Sequence, residues 1–358
     1  MKYLILIIFI FTQCNYKVKN NTSFYKPLHI SDSVTYSNHY YQVSNFNPFF
    51  NSHVIKYNSI DFLATKPSSS NQIFLYPISP KNYFDSIDLT DFLDYSKGNT
   101  ILIKDSLICI YNRLKSFVKI LRFDASKKNK IVIEKESKVA KIDTSKYWIS
   151  SLSGMELLDK DTIEMVFAFG DLKNEKNKFL DSKNPLVISR EFRNDIDKIG
   201  FYPKNYFNPH NYNNHTFFTS DSKMNIIYIF EMHNLIVKLN KLGELLFSKE
   251  IDIENNFMEF DWDKESDLAY VRRHTLMSER NVKICALEND QILVLKKLKN
   301  DKIQMPSLFK YYVFDNMLNL LYSDTVRHKL NPLIISKYQN GFLLFNDNLT
   351  KAYYYEVP

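Results

Sequence analysis

Four acidic residues alternate through the stretch FDWDKESDLAY, namely Asp261, Asp263, Glu265 and Asp267, and carboxylates at that spacing are the raw material of a calcium loop. An EF-hand loop starting at Asp261 would want Gly at position 266 for its sharp turn and a bidentate Glu at position 272. The chain has Ser266 and Arg272 there. A charged hairpin turn between a strand ending at Trp262 and one running from Leu268 to Arg272 is therefore the expectation, with a looser carboxylate site as the alternative. Histidine chemistry is thinner. His210 and His215, in NPHNYNNH, are the closely spaced pair among 8 His, and zinc would need further ligands that no Cys or nearby acid supplies. Ser-x-x-Lys occurs at Ser116/Lys119, Ser220/Lys223 and Ser307/Lys310, without the SDN and KTG segments that make such a spacing catalytic. HExxH and GxSxG are absent, and the 6 scattered glycines form neither GxGxxG nor GxxxxGK. The close backbone approach that phosphate cradles require is missing with them. No catalytic residue, metal ligand or cofactor site is assigned.

A different kind of chemistry, recognition by rigid aromatics, is offered by GFYPKNYFNPHNYNNH, Gly200 to His215. Aromatic rings interleaved with Pro and amide side chains stack on sugars or grip peptides, and long irregular loops on a rigid scaffold often carry binding. Tyr202, Tyr206, His210 and Tyr212 are the candidate ligand contacts, the alternative being a loop that packs its own rings over the fold.

The elements that must position such a loop read as strands. From Thr216 to Ile251 the apolar runs Ile226 to Phe230, Leu235 to Leu239 and Leu245 to Phe247 are separated by turn-formers at Ser220-Asp221-Ser222, His233-Asn234 and Asn240 to Gly243, an antiparallel meander. Similar short strands with Pro, Ser, Asn or Asp between them fill the rest of the chain from Ser59 onward. Convincing helices are scarce. Such a pattern means a sandwich, a barrel or a propeller.

Internal similarity chooses among these. VKLNKLGELLFSKE, from Val237, aligns without gaps with YVFDNMLNLLYSDT, from Tyr312, and FVKILRFDASKKNKIVIEKE, from Phe117, has the same plan with a longer turn. GFLLFNDNLTKAYYYEV, from Gly341, is a further hairpin of this type. Roughly four strands per ~40 to 50 residues is the mark of radially arranged blades. The expectation is all-β: a β-propeller of six blades of four-stranded antiparallel sheets, closed by pairing between N- and C-terminal strands.

Composition agrees. The 358 residues are 45% hydrophobic and 15% aromatic, with 24 Tyr and 28 Phe, the bias of a globular, strand-rich chain. The net charge of +7 is spread over 47 basic and 40 acidic residues mixed along the chain, which argues against a nucleic-acid partner, since those binders gather their charge on one face. Cys109 and Cys285 each sit inside a strand-like run and are expected as free, buried thiols; a disulfide between them is the alternative.

Location is written at the start. Met1-Lys2 is a short positive segment, Tyr3 to Phe11 an unbroken apolar run, and Thr12-Gln13-Cys14 follows, an export-signal layout too short to span a bilayer. Cys14 directly after that run resembles the lipobox of bacterial lipoproteins, in which this Cys receives the lipid; Gln13 stands where a small residue is usual. The expected division is a lipoprotein signal peptide over 1–13, a polar tether over 14–30 and a single propeller domain over 31–358. The lipobox-like start, the Asn/Tyr/Lys-rich composition and hairpins such as IIYIFEMHNLIVKLNKLGELL resemble the six-bladed β-propeller lipoproteins of Bacteroidota, of uncharacterised function. That resemblance implies a fold and a membrane-anchored place in the cell envelope, at the outer membrane, and no catalytic residue. The functional expectation is a non-catalytic binding module for a glycan, peptide or protein partner. A propeller enzyme acting on polysaccharide is the alternative, needing two carboxylates about 5 or 6.5–9.5 Å apart.

Overall fold

The computed structural model describes residues 25–26, 52–57, 59–66, 71–78, 85–93, 99–104, 107–124, 126, 130–142, 147–149, 155–171, 184–203, 216–251, 261–264, 266–287, 289–299, 307–328, 334–339, 341–345 and 352–356. Six antiparallel sheets follow one another along the chain. The first four strands after the N-terminal one, β2 (Ser52–Tyr57), β3 (Ile60–Thr65), β4 (Gln72–Pro77) and β5 (Asp85–Asp88), make blade 1. Blade 2 is β6 (Asn99–Lys104), β7 (Leu107–Asn112), β8 (Phe117–Phe123) and β9 (Ile131–Lys138). In blade 3, β10 (Tyr147–Ile149) and β11 (Met155–Asp159) pair in succession with one edge of β12 (Glu164–Asp171), followed by β13 (Leu186–Arg190) and β14 (Asp197–Ile199). Blade 4 is β15 (Thr216–Ser220), β16 (Ile226–Phe230), β17 (His233–Leu239) and β18 (Leu245–Glu250), and blade 5 is β19 (Arg280–Ala286), β20 (Ile292–Lys297), β21 (Ser307–Phe314) and β22 (Leu320–His328). Blade 6 is β23 (Ile334–Tyr338), β24 (Gly341–Phe345) and β25 (Ala352–Glu356), and its outer strand is the N-terminal β1 (Tyr25–Lys26).

The inner strands touch in a closed circle, β2 with β6, β6 with β11, then β15, β19, β23 and back to β2. The protein is thus a six-bladed β-propeller, and β1 closes the ring through the register Tyr25↔Tyr355 and Lys26↔Tyr354. That strand falls within 14–30, the expected tether, so these two residues belong to the propeller. Cys14 and the expected signal peptide lie outside the described residues.

The apolar runs are continuous because both faces of each blade are covered by neighbours, as in sheets buried on both sides. Along β7, Ile108 and Ile110 pack towards blade 1 while Cys109 and Tyr111 pack towards blade 3. Along β16, Ile226, Tyr228 and Phe230 face blade 3 while Ile227 and Ile229 face blade 5. Along β20, Ile292 and Val294 face blade 4 while Leu293 and Leu295 face blade 6. Cys109 and Cys285 are free thiols; the first is core, and the second lies half-buried elsewhere, on β19.

The repeats seen in the sequence correspond to real hairpins. The segments from Val237 and from Tyr312 are the third and fourth strands of blades 4 and 5, whereas that from Gly341 is the second and third of blade 6. Their turns are built alike. Asn240 Oδ1 accepts from the amides of Leu242 and Glu244, both at 2.9 Å, and Asp315 Oδ1 accepts from Met317 at 2.9 Å and Asn319 at 2.7 Å. Asp221 does the same for Lys223 and Asn225, both at 2.9 Å, between β15 and β16. Such Asx turns hold one residue at positive φ: Gly243 at 88°, Leu318 at 64° and Met224 at 63°.

One expected strand is a helix. Residues Leu268–Met277 form α1, and Asp267 is its N-cap, accepting from the amides of Ala269 at 2.9 Å and Tyr270 at 3.1 Å. Leu, Ala, Arg and Met favour helix, and an Asp ahead of them supplies the cap; the short run LAYVR looked like a strand because no period is visible over five residues.

Gly200 anchors the aromatic segment. Its φ is +78°, and a Cβ there would meet the Tyr228 hydroxyl at 2.9 Å and Pro185 Cγ at 3.2 Å. The same hydroxyl accepts from the Phe201 amide at 3.0 Å and donates to the Phe201 carbonyl at 3.1 Å. Tyr228 is fully buried and has no room to yield. Gly200→Ala is expected to destabilise the fold by roughly 1–3 kcal/mol in a urea or guanidinium titration; an unchanged midpoint would contradict this packing.

Candidate functional site

Where the six inner strands meet, they surround a cavity of about 960 Å³. Each blade contributes wall: His53 from β2, Lys104 from β6, Glu156 from β11, Ser220 from β15, Lys283 and Cys285 from β19, and Lys337 from β23. Turns that follow the inner strands line it as well, through Ser222, Asp290 and Gln339.

The wall is organised by hydrogen bonds between blades. Lys104 forms an ion pair with Glu156 and donates to Ser220 Oγ at 3.0 Å, and Ser220 Oγ donates to Glu156 Oε1 at 2.8 Å, a triangle across blades 2, 3 and 4. Ser222 joins blades 4 and 5, donating from its amide to Asp290 Oδ1 at 3.0 Å and from its hydroxyl to Asp290 Oδ2 at 2.8 Å. The Tyr338 hydroxyl donates to Asp61 Oδ2 at 3.1 Å, joining blades 6 and 1. Asp221 pairs with Lys238 at 2.8 Å, both side chains being buried.

Enclosure tunes the titrating groups. Burial, assisted by the charges of Lys283 and Lys104, lowers His53 to about 3, so its imidazole is neutral at physiological pH. Burial lowers the Lys283 ammonium below its ordinary range, opposed by Cys285 and Glu156. Burial pushes the Cys285 thiol up to about 11 against the pull of Lys283 and Lys337, so the thiolate needed of a cysteine nucleophile is scarce at neutral pH. Burial raises Asp221, but hydrogen bonds from Lys238 and Asn225 and the Lys238 charge outweigh it and leave the carboxyl below its ordinary value.

The four acids lining the cavity, Asp61, Glu156, Asp221 and Asp290, are each engaged by the partners just named. A two-carboxylate glycosidase needs one acid kept protonated and the other free to act, and Asp221 is shifted the wrong way for the first role. Among the described residues no three His, Cys, Asp or Glu gather as a metal site. In the acidic stretch, Asp261 pairs with Lys264 at 2.7 Å and Asp267 caps α1.

The aromatic candidates are placed only in part. Tyr202 packs on Phe230, with ring centroids 5.4 Å apart, in the core between blades 3 and 4, and burial raises its hydroxyl. Tyr206, His210 and Tyr212 lie outside the described residues, in a segment connecting β14 to the start of β15. The cavity residues were not singled out from the sequence. The available signal was a charged residue within an apolar strand, as for Lys283 in RNVKICA and Lys337 in IISKY.

Because His53 takes up a proton in the unfolded chain near 6.5 but in the folded one only near 3, its contribution is fully present above pH 6.5 and is lost as pH falls towards 3. His53→Gln should flatten the fall in urea midpoint between pH 6.5 and 4, and the native imidazole should show no NMR titration above pH 4. A His53 titration near 6.5 would contradict its enclosure.

No protein-family model matches the sequence, and no curated protein matches it. Among solved structures the chain is similar to a member of the DUF4221 family from Bacteroides vulgatus, with TM-score 0.59 and 11% identity over 86% of this chain and 91% of that one. A putative exported protein from Bacteroides fragilis has TM-score 0.46 and 9% identity over 92% of this chain and 85% of that one, and a streptogramin B lyase 0.44 and 11% over 92% and 96%. The last two are too distant to bear on this chain. At 11% identity the first likeness is one of fold alone, and it bears out the resemblance to a six-bladed Bacteroidota propeller read from the hairpins.

Proposed function

We propose that this propeller is a non-catalytic binding module of the bacterial cell envelope and that its axial cavity is the ligand seat. One observation carries the reading: a cavity of about 960 Å³ walled by side chains from all six blades, within the ~300–1,000 Å³ of small-ligand sites. Inner strands position His53, Lys104, Glu156, Ser220, Lys283 and Lys337, and hydrogen bonds between blades brace Glu156, Lys104 and Ser220. The engaged acids, neutral His53 and protonated Cys285 favour holding a ligand over turning one over. The ligand class is that of small glycan, peptide or related solutes. Tyr206, His210 and Tyr212 are proposed as a secondary contact surface on the segment leading into blade 4, Tyr202 being taken up by the core.

Anchoring through lipid on Cys14 belongs to the same proposal. No helix among the described residues is long and apolar enough to cross a membrane.

Two experiments test these parts separately. Ser220→Phe, which fills the cavity from blade 4, should abolish binding of any ligand found in a screen of envelope glycans and peptides, whereas Tyr206→Ala with Tyr212→Ala should weaken it only modestly; the opposite ranking would move the seat to the loop. Metabolic labelling with a clickable fatty acid should mark the wild type and not Cys14→Ala. Label absent from both would remove the anchor.

A further inference from the structure

We propose that the cavity seats an anionic group of its ligand, a carboxylate or a phosphate-type oxyanion, between Lys283 and Lys337; this rests on the cavity being the ligand seat. The inner strands supply four lysines, Lys56, Lys104, Lys283 and Lys337, and one glutamate. Glu156, whose charge also reaches Lys283, is already matched with Lys104. Among the described residues neither Lys283 nor Lys337 has a hydrogen-bond or ion-pair partner, and the remaining lining acids are occupied by Tyr338, by Lys238 with Asn225, and by Ser222.

Position makes this costly. Lys283 lies in the middle of β19, flanked by Val282 and Ile284, which pack into the seams with blades 6 and 4, so its head group emerges inside the channel. An ammonium withdrawn from bulk water is penalised unless an opposite charge or good acceptors meet it. The depressed Lys283 ammonium reflects that penalty. Lys337, from the neighbouring blade, faces the same space, since both ammonium groups act on Cys285. Two ammonium groups, a thiol and nearby hydroxyls are all donors, the complement an oxyanion requires.

Protonation gives a second signature. An anion beside Lys283 favours its charged form, so binding takes up protons and tightens as pH falls through the lowered Lys283 titration.

The test uses the full-length protein at constant ionic strength, with inorganic phosphate, galacturonate and neutral galactose as probes, read by thermal shift and by calorimetry in two buffers of different ionisation enthalpy. At least one anion should raise Tm with proton uptake, galactose should not, and Lys283→Met and Lys337→Met should each weaken anion binding about tenfold or more, the scale of one charged hydrogen bond. Phosphate alone active would assign an oxyanion ligand, galacturonate alone a carboxylate. Without ligand, Lys283→Met should be at least as stable as wild type, because it removes an uncompensated charge; marked destabilisation would assign Lys283 a structural role instead. No shift with either anion at tens of millimolar, or an equal shift from galactose, overturns the proposal. If Ser220→Phe abolishes galactose binding while the lysine variants do not, the cavity remains the seat and only the anion falls. If anion binding survives Ser220→Phe and both lysine variants, the cavity reading falls as well.

Discussion

Everything in this molecule follows from blades that must bury both faces. An ordinary half-exposed sheet satisfies itself with apolar residues on one side, giving strict alternation along each strand. Here β7, β16 and β20 send successive residues into opposite seams, so their middle strands have no side left for water. Outside a few paired charges in the seams, polar and charged side chains gather at two places. One is the outer strand, where Ser248, Lys249 and Glu250 of β18 are exposed beside Leu245, Leu246 and Phe247. The other is the axis, where the inner edges of six sheets converge on one cavity.

Buried charge elsewhere shows what a structural lysine looks like in this fold. Between blades 4 and 5, Lys296 pairs with Glu279 and donates to Asn234 Oδ1 at 3.1 Å, while Lys238 pairs with Asp221 and donates to the Asn316 carbonyl at 2.9 Å. Arg280 meets Glu231 at 3.3 Å beside them. Each of these cations is matched by an acid, as burial requires. Lys104 in the channel obeys the same rule through Glu156. Lys283, half-buried in the channel, has no acid within ion-pair distance among the described residues, and that contrast within one protein is what separates the channel from the seams. Packing explains the first group; it gives no reason to place the second.

The sequence made the architecture legible because the hairpin is a local object. An Asn or Asp followed by a residue at positive φ, as in Asn240 to Gly243 and Asp315 to Leu318, is visible over five residues and recurs between blades. Ring closure by the two termini was legible for the same reason, since a missing outer strand must come from the other end. The helix α1 was not, because LAYVR is too short to display a period and its cap Asp267 was read as one of an acidic series. The channel was illegible for a deeper reason. His53, Lys104, Glu156, Ser220, Lys283 and Lys337 come once per blade, and nothing local marks which of four apolar strands is innermost.

That one-per-blade arrangement also gives the cavity a direction. Blades 2, 3 and 4 contribute the Lys104, Glu156 and Ser220 triangle, which is neutral overall and offers both donors and acceptors. Blades 5 and 6 contribute Lys283, Cys285 and Lys337, which offer donors and positive charge, beside Asp290, whose oxygens are taken by Ser222. A ligand with one anionic end and one hydroxyl-bearing end would satisfy both walls at once, whereas a uniformly charged or uniformly apolar one would leave one wall unmatched. Unpaired polar groups in an enclosed site are what make discrimination steep. The asymmetry between the two walls, rather than the volume, is therefore the property from which selectivity would arise.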